Sequence, residues 1–517
     1  MNSRVSRRLS MSRRALLGGL TATGAATLVG CQVDTGTPTD PGAAGDGNEI
    51  KIPDYGTDLP TEEITFRWTD SGDLKSVYEK AVLSAFTAEH PNIKTDYQGS
   101  GWDTVNQVVP LGIRNGSAPD VFAVPNNVPA ATAVTEGWVK PLEEVIPDFD
   151  TWRGYFPENA FVPGVHVFDD KIYSFPLSSD RRLGYMAFYD ANNLAAAGYD
   201  DPVAQIKTWD DLHAALKKVV DSGKVGMMIG ADSLAGVVDM LAQSAGWQAV
   251  GGMDLRQGKY VYDAPQLVQA FEFLQKLVTD KLVVPGFLSL KIADGRAQMP
   301  AGKSGMIFNG PWDIPAWKRN APDWKYLMGP MPSPDGNTDW VQPFAQNGAN
   351  NPWVYAKTRY PTVAGQILHY MGSPDGQKQL VILSEGNLVS LNEEYNQAAD
   401  QPGLLDENAK TASDLAKKIM RAAPQPAIRN PAVAEVTLVR KEVQPRWQDL
   451  MAGIFTGEIK GSAEQLFAEY SEKQQESLQT AIDTARSEGA DVSLEDWVFP
   501  NWEPTRDYTK ADYEALG

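Results

Sequence analysis

Ile64-Thr65-Phe66-Arg67-Trp68-Thr69-Asp70-Ser71-Gly72-Asp73 opens the stretch that decides the fold. Residues 64–68 alternate like a strand, and 69–73 form a polar loop. Leu74 to His90 then takes helical spacing, with Val77, Ala81, Val82, Ala85 and Phe86 predicted on one side. Pro91 stops that helix, Ile93 to Tyr97 reads as a second strand, and Val105 to Asn115 as another helix. Ala118-Pro119-Asp120-Val121-Phe122-Ala123-Val124 enters a third strand. Strand and helix alternate, which argues for an α/β layer with a largely parallel sheet. In such sheets ligands gather at the carboxyl ends of the strands, so Asp70, Asp73, Asn126 and Asn127 stand where a site is expected.

Working outward, Thr208-Trp209-Asp210-Asp211-Leu212 predicts a helix start, with Thr208 as cap and Asp211 completing a capping box. Helices are expected over 234–246, 265–280, 361–372 and 376–384, and a long amphipathic one over 463–488 carries Leu466, Tyr470, Leu478 and Ile482 on its stripe. A strand is expected from Leu183 to Tyr189. The chain has 517 residues, too many for one small core, so two domains or a large two-lobed body is the prior. Its 66 acidic against 46 basic side chains leave a charge of −20, which repels phosphate backbones, and no basic patch lies beyond the first 14 residues. Nucleic acid is therefore not an expected partner. Four scattered histidines and a single cysteine, Cys31, supply no zinc pattern and no internal disulfide, so neither metal nor cofactor is expected.

Residues 1–30 hold five arginines, no acidic residue and a weakly apolar stretch, and they read as an export signal. Ser12-Arg13-Arg14-Ala15-Leu16-Leu17 resembles the twin-arginine signal, with Arg7-Arg8 as a weaker second candidate. Leu28-Val29-Gly30-Cys31 resembles the bacterial lipobox, in which the cysteine is acylated and anchors the mature protein. Residues 31–60, poor in large apolar side chains, read as a flexible tether. For the 29 residues from Gln32 to Pro60 the reach is on the order of 30 Å.

Several segments fall in an order that resembles the extracellular solute-binding proteins of the carbohydrate-binding family that includes maltose-binding protein. They are Phe86-Thr87-Ala88-Glu89-His90-Pro91-Asn92-Ile93, Ala118-Pro119-Asp120-Val121, Gly137-Trp138-Val139-Lys140-Pro141-Leu142, Lys171-Ile172-Tyr173-Ser174-Phe175-Pro176 and Thr208 to Leu212. Ala301-Gly302-Lys303-Ser304-Gly305-Met306-Ile307-Phe308-Asn309-Gly310-Pro311-Trp312 is the most specific. The resemblance spans roughly residues 62–490. It implies a periplasmic-binding-protein-like α/β fold of two discontinuous lobes, 61–177 plus 332–389 and 178–331 plus 390–517. A hinge crossed three times joins them, near 176–180, 328–346 and 386–392, with the ligand cleft between.

Carried over residue by residue, the resemblance gives Trp312 and Trp447 as platforms for a sugar ring, with core packing as the alternative for each. Asp180 matches a sugar-binding carboxylate, against a salt bridge to Arg181 or Arg182. Arg181 orients Asp180 or holds an anionic sugar. Asn127 replaces an acidic contact of the family, and a turn role for Asn126-Asn127 stands beside it. Asp70 and Asp73 match a polar ligand loop, with helix capping as their alternative. Trp102, Trp247 and Trp353 are further platforms or core residues. The resemblance implies a lipid-anchored receptor outside the cell that binds a carbohydrate by lobe closure and delivers it to the transmembrane permease of an ATP-driven importer, without catalysis; a monomer is expected.

The rival reading is a secreted glycoside hydrolase or polysaccharide lyase, which needs a facing carboxylate pair. Receptors for peptides, metals or opines form a third class. A phosphate-binding loop fails because position 297 is Ala, and no Gly-x-Ser-x-Gly or calcium loop is present. Two departures from the family are extra material near 392–430 and an aromatic tail, Asp496-Trp497-Val498-Phe499-Pro500-Asn501-Trp502, which needs burial and is a candidate wall for the cleft.

Overall fold

Two four-stranded sheets, each with its own core, organise the chain in a computed structural model that describes residues 50–516 apart from 73, 159, 347, 349 and 350. The export signal, Cys31 and Asp73 lie outside the described residues. In the first sheet β1 (Ile64–Asp70) lies between β2 (Ile93–Gly99) and β3 (Val121–Ala123), parallel to both. The second sheet is built on β4 (Met186–Asp190), β5 (Val225–Met228), β6 (Ser304–Asn309) and β7 (Tyr326–Gly329) in the order β7-β4-β6-β5. Strand β6 runs parallel to β5 and antiparallel to β4. After β8 (Gln342–Phe344), β9 (Pro352–Val354) returns to the first sheet antiparallel to β3.

The cores follow from which strands are covered on both faces. All five residues of β4 and all six of β6 are buried, as near-continuous apolar runs require. One core holds Phe66, Trp68, Val82, Phe86, Phe175, Leu368 and Leu388; the other holds Phe188, Leu216, Met227, Phe271, Ile307 and Phe467. The backbone passes between these cores three times: between Leu177 and Leu183, after Trp340, and after Leu388. Two passages touch, Ser179 N–H donating to Val389 O at 2.8 Å.

Local rules hold at several element ends. Thr208 Oγ1 accepts from Asp211 N–H at 3.0 Å and Asp211 returns the bond to Thr208 N–H at 2.9 Å. Helices occupy Leu234–Ser244, Pro265–Thr279, Pro361–Gly372, Pro374–Leu383 and Ala463–Ser487.

Three expectations change. Helix Ser76–Glu89 buries Tyr78, Glu79, Val82, Leu83 and Phe86, whereas Val77 is 41% exposed. The face is rotated because Glu79, an acid that periodicity assigns to water, is buried and accepts a bond from Tyr97 Oη at 2.6 Å. Residues 50–60 are docked rather than tethered. Ile52 is buried in the first core, Tyr55 packs on His369 with ring centroids 3.7 Å apart, and Gln366 Nε2 donates to Thr57 Oγ1. The 392–430 segment is integral: helix Glu407–Ile419 sends Ala412, Ala416 and Ile419 into the second core, and β10 (Met420–Ala422) pairs in parallel with β8.

The aromatic tail buries Trp497, Phe499, Trp502 and Tyr508 in a cluster shared with Leu478 and Ile482. Among the described residues, no helix is long and apolar enough to cross a membrane.

Candidate functional site

The carboxyl ends of β1, β2 and β3 present Asp70, Ser100 to Asp103, and Asn126-Asn127. In the second half, the carboxyl ends of parallel β5 and β6 present Gly230 to Asp232 and Gly310 to Trp312. Tyr185 precedes the antiparallel β4 at the same end, because Met186 pairs with Asn309. One ion pair ties the two ends to each other: Lys291 Nζ lies 2.5 Å from Asp103 Oδ2, and the next residue, Ile292, donates its N–H to Asp232 Oδ1 at 2.8 Å. This exposed pair brings the strand ends of the two sheets next to each other at that point.

On the second-half side the side chains suit a polyhydroxylated molecule. Trp312 is half-buried at the start of helix Asp313–Asn320, its ring folded over Gly310, where a Cβ would stand 2.3 Å from ring carbons. Glycine at 310 is therefore a condition of that ring position. Trp447 is half-buried at the first position of helix Trp447–Thr456. Its ring packs on Tyr262, with centroids 4.6 Å apart, and its Nε1–H donates to Asp239 Oδ1 at 3.0 Å. Burial pushes the Asp239 carboxyl up to about 7, and the bond from Trp447 pulls the other way. Beside them Tyr185 lies across Gly236, whose added Cβ would meet the ring at 2.3 Å.

The predicted residues divide into three places. Trp102, half-buried in the first turn of helix Gly101–Asn115, follows β2, and Asn126 and Asn127 follow β3, whereas Trp312 follows β6 of the second sheet. Asn126 is held by Asn106, which accepts from its backbone N–H and donates to its Oδ1, while Asn127 is exposed. Asp70 ends β1, but its carboxylate is fully buried. It takes Lys75 Nζ at 2.7 Å and Ser71 Oγ at 3.0 Å, so it fixes the loop and is not offered to a ligand.

Trp247 is a core residue, 4% exposed, with Nε1–H donating to Val261 O; it has no face left for a ligand, and Trp353 is wholly buried. Asp180 and Arg181 line a separate cavity of about 850 Å³ at the hinge. There Arg181 pairs with Asp507 at 2.7 Å, and Asp180 lends charge stabilisation to the half-buried Arg182. Tyr185 and Asp239 were not legible as site residues. The available signal was Gly236 inside a helical stretch, a position that costs about 1 kcal/mol against Ala unless a close neighbour requires it. Among the described residues no cluster of His, Cys, Asp and Glu could hold a metal ion.

The family model described as bacterial extracellular solute-binding protein matches residues 81–405, more than half of the chain. The chain belongs to that family. This solute-binding protein is 25% identical over 256 residues to a binding protein of Brucella abortus (strain 2308), a match that covers 50% of the chain and 60% of the relative. It is 25% identical over 181 residues to the osmoprotective compounds-binding protein of Synechocystis, covering 35% of the chain and 40% of the relative.

Among solved structures, the GacH receptor of Streptomyces glaucescens, studied unliganded and with acarbose, superposes with a TM-score of 0.58 at 18% identity, over 80% of this chain and 98% of that one. An ABC transporter solute-binding protein of Thermotoga lettingae, bound to α-D-tagatose, gives 0.59 at 19% identity, over 81% and 100%. At such identities the likeness establishes the fold: the chain has the two-lobed α/β architecture of these binding proteins.

Proposed function

We propose that this solute-binding protein is the carbohydrate receptor of an ABC importer, held outside the cytoplasmic membrane by a lipid on Cys31, and that it captures an oligosaccharide between its lobes and presents it to the permease. The observation that carries this reading is the Asp103–Lys291 pair joining the strand ends of the two sheets, with half-buried Trp312 after β6 and Trp447 beside Asp239 in the second half and the amides Asn126 and Asn127 after β3 in the first. An indole face covers the C–H side of a pyranose, while carboxylate and amide oxygens accept its hydroxyls. Asp239 adds a carboxyl beside the Trp447 ring. Trp102 and Asp70 stand at the strand ends of the first half. The acarbose, tagatose, chitin-oligosaccharide and raffinose complexes or names among the structural neighbours favour a sugar over a peptide or metal.

The lobe assignment, 61–177 plus 332–389 and 178–331 plus 390–517, is supported by the two cores, with the second crossing moved past Trp340, which packs in the second core. A ligand that touches both lobes only when they approach shifts the open–closed equilibrium toward closure. The protein acts as a monomer and transforms nothing. The test is a thermal-shift screen of the full chain against mono- and oligosaccharides, since a ligand that binds only the folded state raises the melting temperature. No shift with any sugar, or release of reducing ends from an oligosaccharide, overturns the reading.

A further inference from the structure

The hinge cavity is lined by all three chain passages: Asp180 and Arg181 from the first, Phe344 and Gln346 from the second, Ser390 from the third. The C-terminal tail closes it. Asp507 Oδ1 accepts from Ala422 N–H at 2.8 Å while Oδ2 takes Arg181, Tyr508 N–H donates to Ala422 O at 2.8 Å, and Lys510 Nζ reaches Glu158 Oε1 at 2.6 Å. None of the strand-end residues of the first site lines it.

The three basic groups on its wall are all paired, and Glu514 adds a further acid. Arg181, Lys417 and Lys510 each hold an acidic partner within 3.1 Å, and Asp180 faces Arg182. A free anion entering the cavity would have to separate one of these pairs, whereas a neutral molecule need not. The other lining groups are the rings Phe161, Phe344 and Tyr513, the hydroxyl of Ser413, and the amides of Gln346 and Gln425. Gln346 Oε1 is buried with no hydrogen-bond partner among the described residues, an acceptor whose lost hydration is uncompensated while it stays unpaired. At about 850 Å³ the space is within the usual range of small-molecule sites.

We propose that the tail-walled hinge cavity is a second binding site, for a neutral polyhydroxylated molecule of mono- to disaccharide size, separate from the strand-end site. Rings supply the apolar floor, and Gln346, Gln425 and Ser413 bond the hydroxyls. The site does not depend on the identity of the transported sugar, and its loss is separable from loss of the first site.

Isothermal titration of the full chain with maltose, trehalose and sucrose tests it. At least one of these should titrate two sites per chain. Ser413→Trp, which fills the cavity, should remove one of them and leave the other, while Trp447→Ala should remove the site that Ser413→Trp spares. Gln346→Leu, nearly equal in volume, should weaken only the cavity site, at least tenfold, and serves if the tryptophan variant does not fold. A single site or none with all three sugars, or two sites that persist unchanged in both cavity variants, overturns the proposal. Two sites that both survive Trp447→Ala would instead count against the strand-end reading.

Discussion

Replacing Asp239 by Asn should make the protein more stable at pH 8 and weaken its hold on sugar. In the fold this carboxyl is carried from 3.8 up to about 7 by burial. A raised pKa means that the folded state binds the proton more tightly. The corresponding stability is complete below pH 3.8 and is lost as pH rises through about 7. Each tenfold change in proton affinity is worth about 1.4 kcal/mol, so the ionised carboxylate costs the folded state at most about 4 kcal/mol at pH 8. Asp239 is half-buried rather than sealed, so screening lowers that figure, and about 2 kcal/mol is the better expectation.

Asparagine stays neutral and still offers an oxygen to Trp447 Nε1–H. Urea unfolding of wild type and variant at pH 4 and pH 8 should show a gap in favour of the variant that is present at pH 8 and nearly gone at pH 4. A gap of the same size at both pH values, or a variant less stable at pH 8, refutes the assignment of Asp239 as a desolvated carboxylate. If stability rises while sugar affinity does not fall, Asp239 is a packing residue and not a ligand.

His166 shows the opposite sign. Burial lowers its imidazole from 6.5 to about 3, so its contribution is present above 6.5 and lost as pH falls through about 3. Nδ1 accepts from Val162 N–H at 3.0 Å, and His166→Asn, which keeps an acceptor, should flatten the acid side of the pH–stability curve by up to about 5 kcal/mol; an unchanged acid slope rejects this. Trp312→Ala should abolish most of a sugar-induced thermal shift with little change in the unliganded melting point, and unfolding instead would make Trp312 a core residue. Cys31→Ser should release the protein from membranes into the soluble fraction, and unchanged partitioning would remove the lipobox.

The first sheet was legible because its parallel strands are separated by helices with breakers at their ends, as Pro91 shows, and in the second half the Thr208–Asp211 box marked a helix start. Where reading failed, pairing in space overrode pattern in sequence. Glu79 looks solvent-facing until Tyr97 and the Asp70–Lys75 pair surround it. Burial, the ion pair with Lys75 and the hydrogen bond from Ser71 turn Asp70 inward, and nothing along the chain distinguishes the buried Trp247 from the half-buried Trp447. The difference lies in what packs against each ring. Asp239 and Tyr185 converge on one place from segments far apart in the chain, and only the mid-helix Gly236 hinted at it. The tail's burial was readable from its aromatics, while its seat against the hinge depended on Asp507 and Lys510 finding partners more than three hundred residues away.

The central claim is that a sugar brings the two strand ends together. Cys31 is the sole cysteine, so a Cys31→Ser background permits spin labels at two new cysteines, Gln107→Cys on the first half and Asp294→Cys on the second, both at exposed positions near the Asp103–Lys291 pair. Pulsed electron–electron distance measurement should show a distribution that shifts to shorter values on addition of the sugar giving the largest thermal shift. A distribution that ignores a bound sugar would contradict the account.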